Sequence, residues 1–424
     1  MQPDREALTP AQVRGFWAAW LGWTLDGMDS FIFALVLAPA LTELLPKSGM
    51  DGSPGHVVFA GSVLFAVFLA GWGSSLVWGP LADRWGRTRT LAASVACYAV
   101  FTGAAAFSQN VWQLGVFRFL AGVGIGGEWA LAGTYVAEMW PESRRKMGAG
   151  YLQTGYYAGF FIAAALNFTV GASYGWRVMF LCGGAPVLLS FYMLSKLREP
   201  DRWTKAAGGG APHAPLKEIF RPSYRRRTLV NAALVTISII GLWAGAVYEP
   251  SAIVTLAKHA GHSAPEAVRL ASFGTALLSI GTCLGCLAVP ILAERFGRRA
   301  TLAVFFAGMA ICIWLSFGWA FYAGDDALAL FIGSLFLLGF FGGNFAMYSL
   351  WLPEQYSTAV RATAFAFVTS FGRFIGAGVN FLIGAGVHSY GSIGVPVAAT
   401  ALAFLFGLAV LPFGYETRGA QLPD

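Results

Sequence analysis

Leu81-Ala82-Asp83-Arg84-Trp85-Gly86-Arg87 returns 211 residues later as Leu292-Ala293-Glu294-Arg295-Phe296-Gly297-Arg298. A second echo, offset by 216, pairs Gly126-Gly127-Glu128 with Gly342-Gly343-Asn344, Glu138 with Glu354, and Arg145 with Arg361. The chain therefore reads as two like halves, and each heptapeptide sits between two apolar runs. A helix needs roughly 20 apolar residues to cross a bilayer core. Twelve such runs can be marked, at 15–40, 58–81, 90–108, 111–137, 147–171, 176–195, 229–256, 268–292, 301–322, 327–352, 362–387 and 393–413. The expected fold is an all-α membrane protein of twelve transmembrane helices in two pseudo-symmetric six-helix bundles. Continuous runs argue against a membrane barrel, which shows alternating segments of about 10 residues.

Composition agrees. Of 424 residues, 57% are hydrophobic, 15% aromatic and only 12% charged, whereas about a quarter of a soluble domain is charged. A soluble enzyme, a nucleic-acid binder and a disordered tail protein are excluded on that ground. The net charge of +7 reports orientation rather than an acidic partner, because Lys and Arg gather in cytoplasmic loops. With the N-terminus inside, 22 basic residues fall on the cytoplasmic side and four outside (Lys47, Arg177, Lys258 and Arg269), so both ends are expected in the cytoplasm of a cell whose inner membrane holds the chain. Residues 196–228 carry nine of these charges with Gly208-Gly209-Gly210, Pro212 and Pro215, a solvated linker between bundles at 1–195 and 229–424. The start, with Asp4, Arg5 and Glu6 running into a full-length apolar segment, is not expected to be a removable signal peptide. Five cysteines inside apolar runs suggest neither a disulfide frame nor a metal site. No Walker motif appears, and the glycine pairs follow no strand, so neither ATP nor a bound cofactor is expected.

Charges inside the spans are the candidates for chemistry, since each costs about 2.5–3.5 kcal/mol on insertion scales and must find a partner, a cavity or a proton. Asp26 and Asp29 share one face of helix 1, and Asp26 lies ~16 Å into the span at 1.5 Å per residue, near midplane. Two neighbouring carboxylates in a low dielectric cannot both ionise cheaply, so one of them is expected to take up a proton near neutral pH. The bland alternative is a helix cap at Gly27 or a structural ion pair. Arg373 reaches similar depth in helix 11, in the other half. Its planar fork suits a carboxylate, the alternative being an ion pair that ties the halves together. Glu128 is a second proton-relay candidate or else a structural partner, and Arg118, ~15 Å away along helix 4, cannot pair with it. Asn344 and Asn380 could contact substrate or act as polar glue between helices. Glu249 is expected to be solvated near the outer end of helix 7, and all five histidines fall in or near loops. Asp83 can face a helix N-terminus or a neighbouring arginine, with Arg84 and Arg87 bridging to the other half and Glu294, Arg295 and Arg298 as their echo. A topology signal without gating is the alternative.

These motifs resemble a known family across essentially the whole chain. Gly79 to Arg89, reading GPLADRWGRTR, resembles the loop between helices 2 and 3 of the major facilitator superfamily, and Arg118 with Gly122, Gly124 and Gly126 resembles its helix 4 motif. The stretch from Arg118 to Arg145 is similar to the sialate and lactate proton-symporter branch. Leu25-Asp26-Gly27-Met28-Asp29 and Gly372-Arg373 look like the aromatic-acid proton symporters and organic-anion carriers. The resemblance implies a monomeric secondary transporter, not an enzyme, working by alternating access about a midplane site. It further implies a loop cluster that stabilises the outward-open state. The expected cargo is an organic anion, a monocarboxylate such as sialate or lactate, taken up with a proton. A carrier of hydroxybenzoate-type aromatic acids is the alternative. A drug-efflux antiporter fits Arg373 poorly, and short tails offer no output segment to a signalling transceptor. Two departures stand out: Pro290 occupies the place of Gly79, and Asn344 that of Glu128.

Overall fold

A computed structural model describes residues 7–208 and 216–423. Asp4, Arg5, Glu6 and the linker residues 209–215 lie outside the described residues. Within them the chain is helical, with no strand. The first half comprises α1 (Pro10–Lys47), α2 (Pro54–Gly73), α3 (Trp78–Trp85), α4 (Arg87–Ala105), α5 (Val111–Met139), α6 (Arg145–Leu166), α7 (Ala172–Gly184) and α8 (Val187–Lys196). A short α9 (Asp201–Gly208) follows. The second half comprises α10 (Pro222–His259), α11 (Ala264–Phe296), α12 (Arg298–Ile313), α13 (Ala327–Gly342), α14 (Phe345–Trp351), α15 (Arg361–Tyr390), α16 (Gly394–Ala398) and α17 (Ala401–Val410).

Each expected span is a helix or a broken pair. Spans 2, 6, 10 and 12 are broken, at Ser74–Val77, Ala185-Pro186, Gly343-Asn344 and Ala399-Thr400. Nine segments among the described residues are long and apolar enough to cross a bilayer by themselves. The spans at 90–108, 147–171 and 229–256, which form α4, α6 and α10, are not among the nine. These helices carry polar residues on buried faces: Thr90, Ser94 and Thr102, then Gln153, then Asn231, Thr236 and Ser238. In each half the helices pack on one another, α4 on α5 and α1 on α6, then α11 on α13 and α10 on α15. Between the halves, α6 meets α11 while α2, α3 and α5 meet α15.

Local chemistry sets the ends. Thr9 caps α1 reciprocally with Gln12, and Asn110 caps α5 by accepting from the Gln113 N–H at 2.9 Å. The repeated heptapeptide turns the chain at its glycine. Gly86 has φ 108° and ψ 158°, and Gly297 has φ 92° and ψ 164°, a region open almost only to glycine. The helix that follows each turn is capped by a glutamate from beyond the last span of its own half. Glu199 accepts from the N–H of Arg87 at 2.6 Å and of Thr88 at 3.1 Å, and Glu416 accepts from Arg298 at 3.0 Å and Arg299 at 3.1 Å. A carboxylate at a helix N-terminus meets both orphan donors and the positive end of the dipole.

A side chain at Gly86 would also collide with the Glu199 carboxylate. Gly86→Ala is therefore expected to destabilise the protein by about 1–3 kcal/mol, read as a lower Tm in detergent. An unchanged Tm would show that the turn tolerates a side chain.

Candidate functional site

The basic end of the molecule is sealed by two matching ion clusters. In the first, Glu138 on α5 takes two hydrogen bonds from Arg87 of its own half, at 3.0 and 3.1 Å, and one from Arg361 Nη1 of the other half at 2.6 Å. In the second, Glu354 takes two from Arg298 of its own half, at 2.9 and 2.8 Å, and one from Arg145 of the first half at 3.0 Å. Each glutamate is thus clamped between two arginines, one from each half, and all six side chains are buried. Glu138, Glu354, Arg145 and Arg361 were visible in the sequence as an echo, but which group each one pairs with was not.

The expected loop cluster divides unevenly. Asp83 accepts from Arg87 at 2.6 Å and from the Thr363 N–H at 3.0 Å, at the N-terminus of α15. Arg87 also donates to the Thr358 carbonyl at 2.8 Å, so Asp83 and Arg87 cross to the second half. Arg84 is exposed and makes no bridge to the second half among the described residues, because one step along α3 turns its side chain by about 100° from that of buried Asp83. In the echo, Arg298 is buried, Arg295 is exposed against the ring of Phe296, and Glu294 is partly exposed and joins Lys146 of the first half at 2.7 Å. The Gly79-to-Pro290 departure has a packing reason. A Cβ at Gly79 would stand 2.7 Å from Thr363 Cα, whereas opposite Pro290 it is the partner helix that carries the glycine, Gly150, whose Cβ would stand 2.7 Å from Pro290 Cγ. Both contacts need a glycine, and it has changed sides.

Residues 415–423 lie across this seam. Leu422 N–H donates to Glu142 at 3.1 Å, Arg202 donates to the Leu422 carbonyl at 3.2 Å, and Arg361 donates to the Pro423 carbonyl. Burial works against the charge on Glu142, but Arg145, the Leu422 N–H and Arg202 prevail and hold its carboxyl below the ordinary range. Glu416 is held low in the same way: burial opposes its charge, and the N–H groups of Arg298, Arg299 and Arg418 outweigh it.

Deeper in the bundle, the two aspartates of α1 have different company. Asp29 accepts from Arg118 Nη1 at 3.4 Å, and Arg118 also donates to Thr102 while lying 5.0 Å from the Phe180 ring and 5.2 Å from that of Phe33. This ion pair is internal to the first half. Asp26 accepts only a long hydrogen bond from Ser30, at 3.5 Å, and its Oδ2 is buried without a partner among the described residues. The charges acting on it are those of Glu128, Arg373 and Asp29. Glu128 is fully buried, with both carboxylate oxygens unpartnered among the described residues, packed where Gly22 of α1 leaves room for it. Arg373, from the second half, is 4% exposed. Its guanidinium lies 4.6 Å from the ring of Trp72 and 5.6 Å from that of Trp129, with Nη1 unpartnered among the described residues.

Aromatic rings complete the site. Trp23 stacks on Trp129 at 6.0 Å with 15° between planes and meets Tyr156 at 4.8 Å. This wall escaped the sequence reading, because 15 tryptophans give no sign of which ones turn inward. Asn344 donates from Nδ2 to the Phe341 carbonyl of its own turn at 2.9 Å, and its Oδ1 is buried without a partner among the described residues. Asn380 follows Arg373 on α15, and its side chain lies outside the described residues. Glu249 departs from expectation. It is 1% exposed and accepts from Thr275 at 3.0 Å, because α10 continues to His259 and Gly274 of α11 leaves space beside it. An apolar groove lined by Leu229, Thr236, Phe367 and Phe406 lies on the outer face between α10, α15 and α17 and holds no charged group.

The profile of the Major Facilitator Superfamily matches residues 19–379. A probable 4-methylmuconolactone transporter of Cupriavidus pinatubonensis is 31% identical, over 99% of this chain and 94% of its own. The 4-hydroxybenzoate transporter PcaK of Pseudomonas aeruginosa is 28% identical, over 96% and 94%. The sialic acid transporter NanX of Escherichia coli is 30% identical over 46% of each chain. Among solved structures, the proton:xylose symporter XylE bound to 6-bromo-6-deoxy-D-glucose superposes with a TM-score of 0.82 at 18% identity, covering 97% of this chain and 98% of that one.

Glu138→Gln leaves Arg87 and Arg361 facing a neutral amide, and breaking a buried pair costs about 3–5 kcal/mol. The seam is then expected to open. Ser370 of α15 is buried with its hydroxyl 3.2 Å from that of Ser75 in the first half; with the native cysteines replaced and Ser370→Cys as a reporter, labelling by an impermeant maleimide from the basic side should rise severalfold over the same reporter with Glu138 intact. An unchanged rate would mean that the clamp does not hold the seam.

Proposed function

The chain belongs to the major facilitator superfamily and is a multi-pass membrane transporter rather than an enzyme; from that premise we propose that it takes up a ring-bearing organic acid, of the hydroxybenzoate kind, together with a proton. The observation that carries this reading is the set of buried, unpartnered polar groups that the two halves bring to the centre. A guanidinium of the second half, with Nη1 unpartnered among the described residues, lies against two tryptophan rings of the first half and within electrostatic reach of Asp26, whose Oδ2 has no partner among the described residues. A planar fork recognises a carboxylate, and flat aromatic walls recognise a flat ring.

In this reading Asp26 and Glu128 carry the proton, and Asp29 keeps to Arg118. When Asp26 is ionised it competes with substrate for Arg373. Protonation from outside removes that competition and frees the guanidinium for the anion. A proton and a monoanion together leave the site with no added net charge, which lowers the barrier to carrying it through the closed state. The bundles at 1–195 and 229–424 then rock, the clamps at the cytoplasmic face part, and the acid and proton leave inward. Both termini lie in the cytoplasm, and the carrier works as a monomer in the inner membrane. Asn380, further along α15, is a candidate second contact for the acid. The relatives favour the aromatic-acid reading over sialate or lactate: the matches that run nearly the whole chain include a 4-hydroxybenzoate transporter and a probable 4-methylmuconolactone transporter, and the sialic acid transporter matches over less than half of the chain.

Purified protein in liposomes should accumulate labelled 4-hydroxybenzoate under an inward proton gradient, in preference to lactate and sialate. Asp26→Asn is expected to abolish uphill accumulation while keeping counterflow exchange. Arg373→Lys, which keeps the charge but loses the fork, should raise KM about tenfold or more, the size of one charged hydrogen bond lost. Gradient-driven accumulation by Asp26→Asn, or normal transport by Arg373→Lys, would contradict the assignment.

A further inference from the structure

Trp129 is a ring of the central wall whose N–H is held by the opposite half. It belongs to α5 of the first half, and its Nε1–H donates to Ser349 Oγ on α14 of the second half at 2.9 Å. The Ser349 hydroxyl in turn donates to Gln153 Oε1 on α6 of the first half, at 3.4 Å. Trp129, Ser349 and Gln153 are all 2% exposed or less. A serine hydroxyl has one proton to give. Because Gln153 accepts it, an Oγ lone pair is left aimed at the indole. An indole buried this deeply needs an acceptor for its N–H, and that acceptor sets the orientation of the ring. The ring so oriented is the one that carries the Arg373 guanidinium at 5.6 Å and stacks on Trp23.

We propose that Ser349 is a positioning residue for substrate selection: it holds Trp129 in the plane on which the ring of an aromatic carboxylate lies while the carboxylate meets Arg373. The inference rests on the aromatic-acid reading above and adds the residue that makes the site selective for a flat ring. Ser349 need not touch the substrate. Its action passes through Trp129, and that separates it from a bond that merely glues the halves together. Loss of glue would change the rate of rocking for every cargo alike. Loss of positioning would weaken binding of flat acids alone, and would do nothing further once the indole N–H is gone.

The test uses the full chain in liposomes with two probes of similar size, 4-hydroxybenzoate and the puckered cyclohexanecarboxylate. Ser349→Ala is expected to raise KM for 4-hydroxybenzoate about tenfold, with the maximal rate and the KM for cyclohexanecarboxylate little changed. Ser349→Thr, which keeps the hydroxyl, should restore the wild-type KM. Trp129→Phe should show the same loss of preference, and Ser349→Ala in the Trp129→Phe background should add nothing to it. Equal KM increases for both acids, a fall in maximal rate alone, or multiplying defects in the double variant would overturn the proposal. Ser349→Ala indistinguishable from a wild type that carries 4-hydroxybenzoate would overturn it and leave the transport reading standing. A wild type that carries neither acid would overturn both.

Discussion

Glu138 and Glu354 each hold one arginine from their own half and one from the other, and the closed state of the molecule depends on these two clamps. Burying an ion costs several kcal/mol even after relaxation, and the mutual attraction offsets this only when every donor and lone pair is engaged. Here they are. Arg87 also reaches Asp83 and the Ala82 and Thr358 carbonyls, Arg298 reaches Glu294 and the Ala293 carbonyl, and the segment at 415–423 lays its own carbonyls and N–H groups across the seam. Such a seam opens only if something else shifts the balance, because parting it exposes four arginines and two glutamates at once. The shift has to come from the differential affinity of the two states for what binds at the centre.

The centre is arranged to respond to its contents. Two aspartates one turn apart on α1 would be chemically alike in water, but their surroundings divide them. Asp29 is neutralised by Arg118 inside the first half, and that pair travels with its bundle as a unit. Asp26 and Glu128 keep unpartnered oxygens, and the cation within reach of Asp26, Arg373, belongs to the other half. A change of charge at Asp26 is therefore felt between the halves. Arg373 is buried, and a low dielectric sharpens every such interaction.

Much of this is legible in the residues alone. Apolar runs locate the twelve spans to within a few residues, because crossing a bilayer leaves little choice of length, and charges within those runs stand out as Asp26, Asp29, Arg118, Glu128 and Arg373. The heptapeptide echo discloses the doubling, and the glycine in it answers to a backbone turn that admits no side chain. What stays hidden depends on helix rotation and on partners far apart in sequence. Arg84 and Arg87 look equivalent on paper, yet only Arg87 faces the seam. Glu199 and Glu416 lie 217 positions apart just beyond the sixth span of each half, and that spacing, so near the other two offsets, is the signal that could have marked them as matching helix caps. Glu249 looked interfacial because the end of its helix was placed three residues too early, and the Trp23, Trp129 and Tyr156 wall could not be told from lipid-facing aromatics.

The central claim is that acid and proton move together through a site that keeps its net charge. The direct measurement is internal pH, read by a dye trapped in liposomes containing the protein, when 4-hydroxybenzoate is added outside at a pH where almost all of it is ionised. The account predicts internal acidification in step with acid uptake, one proton per acid, unaffected by an imposed membrane voltage and missing from liposomes carrying Arg373→Ala. Uptake without acidification, or uptake that follows the voltage, would contradict it.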